Sequence, residues 1–288
     1  MRQKQGRAGG SAIQLCSALR KSSWYNGVMA YERSPAYKPG QKEVYKLSRS
    51  RIENFMRCPR CFWLAQRLKI DQPRTPPFLI NSAIDALLKT EFDIYRAKDE
   101  QHPWQVEFKV DAKPFAHKDL ERWRHVFTGV QRLHEPTNLL ISGGVDDVWV
   151  NSKGELVVVD YKATAKDKEI TDLEDSKWHD SYRRQMEVYQ WLLRGEGHKV
   201  SDTGYFVYAN GIAKNGGFYN KVEFRTNVFP YKGSDEWVEP TLVKIKAVLE
   251  GDIPKESADC EYCAYARART ELTLQSLKST APKPVKIA

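Results

Sequence analysis

Three side chains near the middle of the chain are of the types that work on phosphate esters. The run GGVDDVWVNSKGELVVVDYKAT, residues 143–164, puts Asp146 within one apolar segment, read as a strand, and Asp160 and Lys162 at the end of another. Successive side chains of a strand alternate faces, so Asp160 and Lys162 project to one side and Tyr161 to the other. Asp146 lies across a hairpin, where neighbours are close enough to converge on one ion. Two carboxylates suit a hard divalent cation, Mg²⁺ or Mn²⁺, with positions left for water and a phosphate oxygen. Such an ion lowers the pKa of bound water, and an ammonium beside it orients that water or offsets charge on the phosphoryl group. Each residue alone reads as well as a strand end meeting solvent or a turn cap. Three at this spacing do not.

The pattern of Gly144, Val145 and Asp146, a hairpin, and then ELVVVDYKAT resembles the PD-(D/E)XK nuclease superfamily, and within it the RecB-like branch that includes the CRISPR-adaptation exonucleases. In QMEVYQWL, Gln185 and Tyr189 match the glutamine and tyrosine which that branch carries on the helix after the lysine strand, and i, i+4 positions share a helix face. The resemblance implies that Asp146 and Asp160 are metal ligands with the Tyr161 carbonyl as a further one, that Lys162 is catalytic, and that Gln185 and Tyr189 belong to the site. It also implies a histidine ligand on an earlier helix. The comparable stretch LINSAIDALL has Asp85 instead, which is competent toward a hard cation, although Ser82 and Asp85 together also read as helix-start chemistry.

Cys58 and Cys61 form one CxxC, Cys260 and Cys263 another, and Cys16 stands apart. Two matched pairs can supply four thiolates to one structural centre, closing the ends of the domain on each other, and in a reducing compartment this is preferred to disulfides. A four-thiolate set suits zinc or an iron–sulfur centre. The resemblance favours a 4Fe–4S cluster, with Zn²⁺ as the alternative, although related nucleases divide their cysteines one and three rather than two and two.

The elements that must position these residues are legible from pattern. SRSRIENFMRCPRC offers Ser50 and Glu53 in capping-box spacing, with Pro59 ending one helix and starting another. A helix is predicted over NSAIDALLKTEFDIYRAK, then strands over 139–150 and 155–162 joined by NSKG, and a helix over YRRQMEVYQWLLRGEG stopped by Gly195. Strands over GYFVYANG and KVEFRTNVF and a helix over EPTLVKIKAVLEG follow. This order gives an α/β (α+β) single domain over 44–270, flanked by a disordered basic arm, 1–43, and a disordered tail, 271–288. The resemblance specifies a restriction-endonuclease-like core, a mixed β-sheet flanked by helices, with helical additions carrying the cysteines.

The chain has 288 residues and a formal charge of +9. Residues 1–31 hold five bases and no acid and the tail a net +2, so the domain itself is nearly neutral and basicity alone says little about nucleic acid. No stretch approaches a membrane span, which points to a cytoplasmic protein. The acid-free start also has the composition of a transit peptide, or of sequence upstream of a start at Met29. Three functions are compatible: a metal-dependent DNA nuclease, for which every needed residue is present; a silent nucleic-acid-binding or scaffold subunit; and a zinc or iron–sulfur structural protein. DNA is favoured over RNA as partner. With no helicase motif, any unwinding or repair partner is a separate chain. Arg122, Trp123, Arg124 and His125 read equally as a phosphate-contacting cluster and as a solvated helix face with one core tryptophan.

Overall fold

The computed structural model describes residues 24–25, 28–29, 35–73, 76–174, 176–214 and 216–280. Most of the basic arm, Cys16 included, and the last eight residues fall outside them. Near the start, β1 (Trp24–Tyr25) and β2 (Val28–Met29) form a two-residue antiparallel pair, a unit by itself. The second unit begins at Ala36, inside the segment expected to be arm. Tyr37 is buried there, its hydroxyl bonded to the Glu250 carboxylate, which also accepts the Gly40 N–H at 2.7 Å.

After β3 (Tyr45–Ser48) come α1 (Arg49–Arg57) and α2 (Pro59–Arg67), separated at Cys58 as the proline requires. The expected Ser50 cap does not form. Ser48 is the N-cap residue, and Glu53 turns inward to a two-point ion pair with Arg184 at 2.9 Å. Next are α3 (Leu79–Lys98), α4 (Pro103–Glu107), β4 (Lys113–Pro114) and α5 (Leu120–Arg124). β5 (Val130–His134), a short 3-10 turn, β6 (Leu139–Gly143), β7 (Asp147–Val150) and β8 (Leu156–Thr164) follow. Then come α6 (Lys177–Gly195), β9 (Thr203–Gly211), β10 (Phe224–Lys232), α7 (Val238–Glu250) and α8 (Glu261–Thr280). α8 continues helical past residue 270, because ELTLQSL consists largely of good helix formers, but its outer turns are exposed. Among the described residues no helix is long and apolar enough to cross a membrane.

Five strands form one mixed sheet in the order β10-β9-β8-β7-β4, with β8 parallel to β9 and antiparallel to β7. A second sheet, β3-β6-β5, pairs β3 parallel to β6. The run 139–150, expected as one strand, is therefore divided: β6 belongs to the small sheet and β7 to the large one. The break falls on Gly144, Val145 and Asp146. β7 and β8 are joined by Asn151–Gly154, where the Asn151 carboxamide accepts the Lys153 and Glu155 N–H groups and Gly154 takes the left-handed conformation, φ 71°.

β8 is buried on both faces, and its side chains alternate between two cores. Leu156 and Val158 join the larger apolar core with Met186 and Leu192 of α6, whereas Val157, Val159 and Tyr161 pack with Leu88 and Phe92 of α3. The α6-facing row continues, in register, into Asp160 and Lys162.

Candidate active site and metal centre

The strand that begins as core thus ends in two charged side chains still pointing at a helix. Asp160 is fully buried. Its Oδ1 accepts Gln185 Nε2 at 2.8 Å, and the same nitrogen lies 3.2 Å from the Tyr189 hydroxyl. Its Oδ2 meets the Lys162 ammonium in an ion pair, yet has no partner aligned as a hydrogen bond. Gly143 lets the Tyr189 ring approach: a Cβ there would come within 2.7 Å of Tyr189 Cε1.

Asp146 sits in the gap between β6 and β7 rather than on a strand, and accepts the Tyr161 N–H through Oδ2 at 3.0 Å. Burial, and then the charge of Asp160, push its carboxyl up to about 6. Burial opposes the charge on Lys162, but Asp160 and Asp146 outweigh it and hold its pKa above the ordinary lysine value. Lys89 of α3 approaches from the other side, 3.8 Å from Asp146 Oδ1 and 2.7 Å from Asp85 Oδ2. Asp85 is shifted upward too, by burial first and then by the nearby Asp146. The structure therefore brings Asp146, Asp160, Lys162, Gln185 and Tyr189 together, with Asp85 joined to them through Lys89.

Sequence reading missed Asp147. It is fully buried on the opposite side, where its carboxylate accepts Arg96 Nη2 at 2.5 Å, Arg124 Nη2 at 2.8 Å and the Tyr161 hydroxyl at 2.8 Å. This network fixes the start of β7, and through Tyr161 the end of β8. The only local signal was the Asp-Asp doublet, since the arginine partners come from distant segments. The basic cluster on α5 resolves into structure as well. Arg124 pairs with Asp93 and Asp147, Arg122 makes a two-point pair with Glu196, and fully buried Trp123 donates to Glu196 at 2.9 Å. His125 lies beside Thr128 at the helix end.

The cysteines meet as expected. In each CxxC the first cysteine precedes a helix and the second lies in its first turn, α2 for one pair and α8 for the other. All four sulfurs lie within 4.8 Å of one another, with contacts of 3.4 Å (Cys61–Cys263), 3.6 Å (Cys61–Cys260) and 3.8 Å (Cys58–Cys263). So many thiols cannot ionise together without a cation. Cys58 is brought down to about 7: burial raises it, but hydrogen bonds from the backbone at Ser257 and Cys61 outweigh burial. Burial pushes Cys61 up to about 11 and Cys263 higher still. A cation that takes up thiolate charge suits this donor set.

The PD-(D/E)XK nuclease superfamily matches residues 46–268, the greater part of the chain. The chain belongs to the PD-(D/E)XK nuclease superfamily. Nucleases of this superfamily act on nucleic acid with Mg²⁺ or Mn²⁺. The candidate site fits such a cation on its own evidence, through a buried Asp160 oxygen engaged only by the Lys162 ammonium next to a second carboxyl, Asp146, whose pKa is raised. No curated protein matches the chain. The solved structures that resemble it include two at 16% identity and a TM-score of 0.38 each. One is SSO0001, covering 79% of this chain and 86% of that one. The other is described as a "Putative exonuclease" of Eubacterium rectale, covering 85% and 91%. At that level of likeness neither bears on the activity, and the superfamily match carries the assignment.

Proposed function

We propose that the protein is a divalent-cation-dependent deoxyribonuclease that hydrolyses phosphodiester bonds from strand ends, a cytoplasmic enzyme of DNA repair, recombination or defence. The observation that supports it best is the set of partly buried Asp146, fully buried Asp160 and partly buried Lys162, gathered from β8 and the gap before β7, with one Asp160 oxygen engaged only by the Lys162 ammonium. A bound Mg²⁺ or Mn²⁺ supplies charge for the phosphoryl oxygens and a more acidic water. Asp146 and Asp160 would hold it, with the Tyr161 carbonyl as a further ligand, and Asp85, now paired with Lys89, would be a candidate additional one. Gln185 fixes the Asp160 carboxylate by donating to Oδ1, and Tyr189 fixes Gln185. Lys162 sets its ammonium against the charge that grows on the phosphate as water attacks and the sugar oxygen leaves. The RecB-like resemblance of the Gln185–Tyr189 pair is what favours DNA and attack from ends.

The test is incubation of the full chain with Mg²⁺ or Mn²⁺ and end-labelled linear and circular DNA and RNA. Expected is release of short products from linear DNA, abolished by EDTA and by Lys162→Ala. Cleavage that survives Lys162→Ala, or that needs no divalent ion, would refute the assignment.

For the four cysteines the thiolate spacing supports zinc over the iron–sulfur cluster. Thiolates about 2.3 Å from a single zinc stand about 3.8 Å apart at the corners of a tetrahedron. A cubane, with iron and sulfide between them, holds them about 6 Å apart. Protein prepared without oxygen should be colourless and contain one zinc per chain. A brown chromophore with stoichiometric iron would reverse this choice.

A further inference from the structure

α6 starts at Lys177, five residues before the pattern over YRRQMEVYQWLL begins, with Ser176 as its N-cap accepting the His179 N–H. The longer helix carries Trp178, Tyr182, Gln185 and Tyr189 at spacings of four, three and four, so one face runs from the buried centre to the surface. Gln185 and Tyr189 lie against Asp160, and Tyr182 has the Lys162 ammonium 4.6 Å from its ring centre. Trp178, at the outer end, is 67% exposed, and the Arg57 guanidinium stands 5.4 Å from its ring. Tyr189 is buried and Tyr182 is half-buried at the edge of a cleft. Trp178 lies open to solvent.

Trp178 and Tyr182, with Tyr208, line a cleft of about 320 Å³ that opens directly on Lys162. Lys166 adds a second cation, and Glu174, the acid of the lining, is paired with Lys168 at 3.3 Å. Aromatic faces next to ammonium groups match the two faces of a nucleotide, a stackable base and a charged phosphate. The size decides which form enters. Pockets that engulf a single organic ligand begin at roughly 300 Å³, whereas a duplex presents a major groove about 12 Å wide with its bases stacked inside. The cleft has room for one unpaired nucleotide unit beside the catalytic groups.

Building on the nuclease reading, we propose that Trp178 and Tyr182 form a stacking platform that takes the unpaired bases of a single nucleic-acid strand and delivers that strand to Asp146, Asp160 and Lys162. Duplex ends are then substrates only after they fray or are opened.

Binding separates this proposal from the reading it rests on. Fluorescence anisotropy in Mg²⁺ uses the full-length Lys162→Ala chain and a labelled oligothymidylate of about 12 nucleotides, against a blunt duplex of the same length. The single strand should bind at least about tenfold more tightly. Adding Trp178→Ala should weaken its binding by about tenfold to a hundredfold, and Trp178→Phe should restore most of it, as stacking on one aromatic face requires. Trp178 is exposed, so its truncation leaves the core intact. Equal binding of the two forms, or single-strand affinity indifferent to Trp178→Ala, would overturn the platform. Absence of cleavage by the wild-type chain, with Trp178-dependent single-strand binding intact, would overturn the nuclease reading and leave the platform standing.

Discussion

Asp146 and Asp147 are consecutive in the chain but serve the two faces of the large sheet in opposite ways. On the α3 face, Asp147 is met by two guanidinium groups and a tyrosine hydroxyl, so a fully buried charge is fully compensated. On the α6 face, Asp146 and Asp160 share a buried space with one another, Lys162 compensates them only in part, and one Asp160 oxygen has no hydrogen-bond partner. A compensated buried acid holds structure together, and an under-compensated pair retains affinity for a cation. The two aspartates differ in depth, Asp146 being partly exposed and Asp147 fully buried, and above all in which lone pairs are already engaged.

The sharpest way to break this contrast is to remove each acid and ask what is lost. Asp147→Ala removes the buried carboxylate between Arg96 and Arg124 and leaves the two guanidinium groups to share Asp93, and should lower unfolding free energy by about 3–5 kcal/mol in urea denaturation. Asp160→Asn should leave the denaturation midpoint near wild type while reducing Mg²⁺-dependent cleavage by about 10²–10³-fold. If both substitutions acted mainly on stability, the division between the faces would fail.

Titration sharpens it next. Asp146 has a folded pKa of about 6, above its ordinary value of 3.8. Below the ordinary value both the folded and unfolded states hold the proton. Between the two values the folded state keeps a proton that the unfolded chain has released, so stability of the metal-free protein should fall as pH rises through this window. Bound Mg²⁺ competes with that same proton, so its affinity by calorimetry should weaken about tenfold per pH unit below about 6. Asp146→Asn should flatten both curves. The smallest effect belongs to Asp85, which already shares its charge with Lys89: Asp85→Asn should reduce Mg²⁺ affinity by about threefold to tenfold in the same calorimetry.

Much of this was legible in the sequence because it depends on local spacing. Alternation along ELVVVDYK fixed which face receives Asp160 and Lys162, the i, i+4 step paired Gln185 with Tyr189, and Pro59 placed the helix break at Cys58. The division of 139–150 into two strands was not legible, since LLISGGVDDVWV has apolar runs at both ends and periodicity cannot show that the chain passes from one sheet to another at the Gly-Gly and Asp-Asp in its middle. Nor was the burial of Arg124, whose partners Asp93 and Asp147 lie 31 and 23 residues away. A basic run looks the same in sequence whether it faces phosphate or a buried carboxylate. The Ser50 cap failed for a tertiary reason, because Glu53 finds a stronger partner in Arg184 than its own helix offers.

The cysteine clasp joins positions 205 residues apart, Cys58 and Cys263. During synthesis the first two thiols emerge long before the last two, so a growing chain can display Asp146, Asp160 and Lys162 while its clasp is still half made. Closure of the clasp therefore waits until Cys263 has left the ribosome, and a chain interrupted before residue 260 lacks the closing half.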